Sequence, residues 1–138
     1  MKTTFLVDGF NLYHSIHDLF LNHRIKAKWL DVDAVLKSYL PHINTNAVIE
    51  NIYYFTALRS YLQKTNPDTI LRHIRYIKVL KSFGIKFEFG QFKKKNVKCK
   101  LCGGIFVKYE EKRTDVAIAS KLISLAHNRN ADVLIIVF

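Results

Sequence analysis

Apolar and polar positions follow two rhythms along this chain, and each predicts an element. Phe5, Leu6 and Val7 form an apolar run inside Thr3–Asp8, which predicts a buried strand. Phe10, Tyr13, Ile16 with His17, and Phe20 recur at helical spacing and predict a helix over 10–21. A basic connector, His23–Trp29, leads to a second helix. Asp31 or Asp33 caps it, its apolar side carries Val32, Val35, Leu36, Tyr39 and Leu40, and Pro41 stops it. The β-branched and aromatic stretch Val48–Leu58 predicts a second buried strand.

Arg59–Pro67 has loop character, and Asp68 opens a third helix that turns Leu71, Ile74, Ile77 and Leu80 inward and ends near Gly84. Ile85–Phe92 alternates as a third strand, and Lys93–Val107 is a basic insert holding Cys-Lys-Leu-Cys-Gly-Gly. A fourth helix over Asp115–His127 packs through Ala119, Leu122, Ile123 and Ala126. Val133–Phe138 is continuously apolar, the mark of a fully buried parallel strand. Strands alternating with helices in this order predict an α/β fold, a mostly parallel sheet with helices on both faces.

Composition narrows the class. The 138 residues are 49% hydrophobic and contain few Gly or Pro, as expected of one ordered domain. No apolar run has the length of a membrane span, and Met1–Thr4 shows no signal-peptide pattern, so the expectation is a cytoplasmic protein without a membrane partner. The formal net charge is +11, and it is unevenly placed. Between Arg72 and Arg113 stand 13 Lys and Arg against three acids, Glu88, Glu110 and Glu111. Arg72, Arg75, Lys78 and Lys81 recur every three residues and form a ridge on the third helix, while Lys93, Lys94 and Lys95 open the insert. Such a concentration of cations points to a polyanion, RNA above all.

Chemistry concentrates at two places. Asp8 ends the first strand just before Gly9, Phe10 and Asn11, where open α/β sheets bind ligands. Either it caps the next helix or it holds a divalent cation. In Tyr109–Ser120, Thr114 is placed to cap the fourth helix and Asp115 falls in its first turn. With this element order Asp8 and Asp115 face one crevice, where paired carboxylates repel unless a cation lies between them. Glu110 or Glu111 can add a third oxygen, and Lys112 and Arg113 can hold a phosphate.

Val-Asp-Gly-Phe-Asn-Leu-Tyr-His, followed much later by Glu-Glu-Lys-Arg-Thr-Asp-Val-Ala-Ile-Ala, resembles the NYN domain, a branch of the PIN-like nucleases, over 5–138. The resemblance implies a PIN-like, Rossmann-like three-layer fold and a ribonuclease dependent on Mg²⁺ or Mn²⁺. It makes Asp8 and Asp115 metal-binding acids and Glu111 a further acid. Asn11 would orient substrate, and Thr114 would position Asp115. The family continues after the last strand with Ser-Gly-Asp-Ser-Asp, so the resemblance implies a C-terminally shortened member with weakened metal binding whose catalysis can be lost, or a homodimer that completes the site.

Cys99 and Cys102 have the spacing of a zinc knuckle, but zinc takes four ligands, and His14, His17 and His23 have no spacing that supplies the others. The alternative is a β-hairpin with reduced thiols. Trp29, Tyr53, Tyr54 and Phe55 are expected in the core, and Tyr61 and Tyr109 as base-stacking residues. His42, His73 and His127 have no partner by spacing and are expected at the surface or in packing. Three functions remain: a metal-dependent ribonuclease, an RNA-binding module without catalysis, and an interaction remnant with an exposed strand edge.

Overall fold

A computed structural model describes residues 1–138 and arranges the chain around a four-stranded parallel sheet. In chain order the elements are β1 (Lys2–Asp8), α1 (Gly9–His23), α2 (Val32–Ile43), β2 (Val48–Thr56), a short 3-10 turn (Ser60–Leu62) and α3 (Pro67–Ser82). They continue with β3 (Lys86–Phe89), β4 (Gln91–Lys98), β5 (Ile105–Lys112), α4 (Thr114–His127) and β6 (Val133–Val137). The sheet order is β3-β2-β1-β6, every pair parallel, and β4 and β5 form a separate antiparallel hairpin.

The parity of β1 divides the core. Phe5 and Val7 point to one face and pack with Val32 and Leu36 of α2, Ile52 and Tyr54 of β2, and Leu80 of α3. Leu6 points to the other face and packs with Phe55, Ile118 and Leu125, the last two from α4. The architecture is thus three layers, helix–sheet–helix, as the element order predicts.

Several local expectations are corrected. Helix α2 runs through Pro41 to Ile43. The proline sits in the last turn, where its missing N–H costs one bond, and the Asn44 N–H still reaches the Leu40 carbonyl at 3.1 Å. The third strand ends at Phe89, and Phe92 belongs to the hairpin beyond Gly90. Helix α4 packs through Ile118 and Leu125, whereas Ala119 and Ala126 are exposed and Ile123 is 69% exposed. Its sequence is apolar on more than one side, so contact with the sheet chooses the face. Helix α3 likewise buries Ile70 and leaves Leu71 exposed. Strand β6 is half-buried throughout because it pairs with β1 alone and forms an edge. No helix is long and apolar enough to cross a membrane.

Candidate metal and nucleic-acid site

In a parallel sheet the strands all end on one side, and a crossover helix begins there. Asp8, last in β1, therefore lies at the same end of the sheet as the start of α4. It lies in register with Phe55 of β2, which lies in register with Glu88 of β3. Registered residues share a face, so this row is directed to the side that α4 covers.

Asp8 is only 3% exposed. Its Oδ1 accepts hydrogen bonds from the backbone N–H groups of Phe10 and Asn11, both at 3.1 Å, and so caps α1. The Asp8 carboxylate therefore does the capping work, and Oδ2 receives no protein donor. Gly9 makes this entry possible. A Cβ there would intrude on the Tyr54 ring and stand 2.8 Å from the Phe55 carbonyl oxygen. The Asn11 side chain is exposed in the first turn of α1.

Thr114 does not cap α4. The capping position falls to Arg113, whose backbone is left-handed at φ 77° and whose side chain makes no cap. Thr114 is the first helical residue, is buried, and donates its hydroxyl to Glu111 instead. The left-handed backbone of Arg113, a non-glycine residue, stores about 1–3 kcal/mol. Asp115 follows in the first turn with its side chain exposed.

Glu111 connects the three acids. Burial pushes its carboxyl above the ordinary range, the Thr114 hydrogen bond pulls it back, and the charges of Asp8 and Asp115 push it further up. Asp8 and Asp115 are therefore each within electrostatic reach of Glu111. As they stand, no three His, Cys, Asp or Glu side chains are grouped closely enough to hold a metal ion. The donors still fit a hard cation in kind, since all three are carboxylates. Glu110 is turned away: it faces the other side of the hairpin, held by Lys112 at 2.8 Å and Lys95 at 3.5 Å, and its carboxyl is lowered chiefly by the Lys112 hydrogen bond. Glu88, to which the sequence pattern gives no site role, shares the row with Asp8 but is paired to Lys121 at 2.5 Å.

The hairpin also sorts the basic residues. Lys93 pairs with Glu110 and Lys95 with Lys108, so these four share one face with Lys112. Lys94 lies opposite Tyr109 on the other face, with Phe92 and Glu111. Two lysines directly across a strand pair repel, a local cost that an anion would relieve. On α3, Arg72, Arg75 and Lys78 are exposed. Tyr61 and Tyr109 stack on each other, 4.0 Å between centroids and 1° apart, so their inner faces are already taken. The aromatic expectation fails at Trp29, which is 59% exposed, while Tyr54 and Phe55 are buried as expected.

Cys99 and Cys102 occupy the hairpin tip as free thiols. The Cys99 N–H bonds the Gly104 carbonyl at 2.7 Å, and the Gly103 N–H bonds the Cys99 carbonyl at 2.9 Å. Hydrogen bonds from the Cys102 and Leu101 backbone and from the Cys102 thiol lower the Cys99 thiol. No third His, Cys, Asp or Glu stands with the two to complete a zinc set.

No family model, curated protein or solved structure matches the chain.

Proposed function

We propose that this protein is a cytoplasmic, metal-dependent ribonuclease of the NYN type that hydrolyses phosphodiesters in single-stranded RNA. The observation that carries the reading is the placement of Asp8, Glu111 and Asp115 at one end of a parallel sheet, with Glu111 near enough to both of the others for their charges to raise its carboxyl. Negative charge is grouped where a cation would settle, Arg59 lies near enough to Glu111 to act on its carboxyl, and the lysines of the hairpin's other face extend a positive surface beyond it for a phosphate backbone. The free thiols suit a reducing compartment.

In this reading Asp8, Glu111 and Asp115 hold Mg²⁺ or Mn²⁺, which when bound lowers the pKa of water and offsets charge on a phosphate. The chain's own groups supply position. Asp8 is fixed by the two N–H groups of α1, and Thr114 fixes Glu111 through its hydroxyl. Asn11 presents an exposed amide in the first turn of α1, and Arg113, just before α4, is the phosphate contact, with Lys112 held by Glu110 on the outer face of the hairpin.

A second reading, RNA binding without cleavage, is favoured by the prior engagement of two acids, Asp8 as a helix cap and Glu111 by Thr114. The two separate in one assay. Labelled single-stranded RNA with Mn²⁺ is cleaved by the parent and not by Asp115→Asn if the nuclease reading holds. Binding without cleavage by both proteins refutes it.

A further inference from the structure

A cavity of about 440 Å³ opens between α1, the end of β2 and α3. That size falls within the roughly 300–1,000 Å³ of small-molecule sites. Its lining combines two chemistries. Tyr13, Trp29, Tyr76 and Phe92 supply aromatic surface, and Lys28, Arg59 and Arg72 supply cations, with no carboxylate among the lining residues. The aromatic rim is prearranged: Trp29 meets Tyr76 edge to face at 5.8 Å, and the Tyr76 hydroxyl donates to the Leu30 carbonyl at 2.6 Å. Arg59 lies over the Tyr13 ring at 5.2 Å and the Phe92 ring at 6.0 Å. At the wall, His73 Nε2 and the Thr56 hydroxyl are 3.3 Å apart.

The cavity adjoins the carboxylate crevice. Gly9 and Phe10, the two residues after Asp8, line it, and Phe92 is the direct cross-strand partner of Glu111. Arg59 is close enough to Glu111 to oppose the rise of its carboxyl. An indole and a phenol left open to water beside three cations form a surface that favours a flat heterocycle bearing a phosphate. A purely apolar ligand would leave the cations unpaired, and an inorganic anion would leave the rings uncovered.

We infer that this cavity holds one unpaired nucleotide of a single strand, its base against Trp29 and Tyr76 and its phosphate at Arg59 and Arg72. The neighbouring phosphodiester would then enter the crevice of Asp8, Glu111 and Asp115. The inference extends the nuclease reading from chemistry to strand placement. It is tested without divalent metal, so failure of cleavage and failure of the pocket are separate results.

Trp29 is the only tryptophan in the chain, so its fluorescence reports on this cavity alone. In chelator, the purified protein is titrated with the four nucleoside 5′-monophosphates, their nucleosides, inorganic phosphate, and a single-stranded hexanucleotide with its duplex form. The expected result is saturable change with mononucleotides, tightest with the single-stranded hexamer. Nucleosides, which lack the phosphate, bind at least about tenfold more weakly, the loss of one charge-assisted hydrogen bond, and the duplex binds more weakly than the single-stranded hexamer because its bases are paired and stacked. Arg72→Ala, at an exposed helix position, loses a similar factor while its circular dichroism is unchanged. No saturable change with any nucleotide overturns the inference, as does an equal change with inorganic phosphate or an unaltered Arg72→Ala titration. Tighter binding of a free mononucleotide than of the hexamer overturns the placement of a strand there.

Discussion

Asp8 carries two roles at once, and two substitutions separate them. Its Oδ1 holds two backbone N–H groups at 3.1 Å, and the residue is buried. Asp8→Ala removes the acceptor and leaves both donors without a partner in a site that water enters poorly. Cap removal costs about 0.5–2 kcal/mol, and burial places this case near about 2. Asp8→Asn keeps an oxygen for the same two donors. It loses the charge–dipole attraction, worth about 0.3–1 kcal/mol, but also relieves the repulsion on Glu111. Its stability should fall by less than about 1 kcal/mol. At this chain length about 4 °C of melting temperature corresponds to 1 kcal/mol, so Asp8→Ala should melt about 8 °C lower. Thermal melts by circular dichroism read the first role, and RNA cleavage with Mn²⁺ reads the second, which both substitutions should abolish. The reasoning is refuted if Asp8→Ala melts with the parent, or if Asp8→Asn cleaves as the parent does.

Other outcomes follow from the same structure. Gly9→Ala places a methyl group against the Tyr54 ring and the Phe55 carbonyl, and should lower stability by about 1–3 kcal/mol in urea titrations. Burial, then the charge of Arg59, lowers His73 below its ordinary value. The unfolded chain thus binds more protons below about pH 6.5, and stability should rise with pH through that value. His73→Gln should flatten that rise in melts between about pH 5 and 7. Lys95→Ala with Lys108→Ala removes an opposed like-charge pair but also the exposed Lys95–Glu110 ion pair at 3.5 Å, so hairpin stability should change by less than about 0.5 kcal/mol. The same pair should reduce the salt slope of single-stranded RNA binding by about 1.4, measured by fluorescence anisotropy.

The chain's own pattern was enough for the four strands of the sheet, the helices and their order, because side-chain period depends on local backbone geometry, whereas the lysine-rich β4 and β5 read only as a basic insert. Asp8 at the end of β1 and Asp115 at the start of α4 were legible for the same reason: each marks an element boundary. The position of Thr114 was legible but its task was not. A threonine before a helix caps by default, and only the αL turn at Arg113 and the nearby Glu111 redirect its hydroxyl. The split of Lys93 and Lys95 from Lys94 likewise required the hairpin register, since alternation acquires a direction only when a partner strand fixes which face is which.

Tertiary structure alone decided the rest. Helix α4 offers apolar residues on more than one side, so its sequence permits several packing faces, and the sheet selects Ile118 and Leu125. Trp29 looks like a core residue by chemistry, yet lies exposed at the rim of a cavity made by α1, β2 and α3. That cavity joins residues from position 9 to position 92, and no local period relates them. Sequence determines what each segment can bury, and the three-dimensional packing determines which of those surfaces meet and which remain open to a ligand, because burial is a property of neighbours brought together from distant parts of the chain.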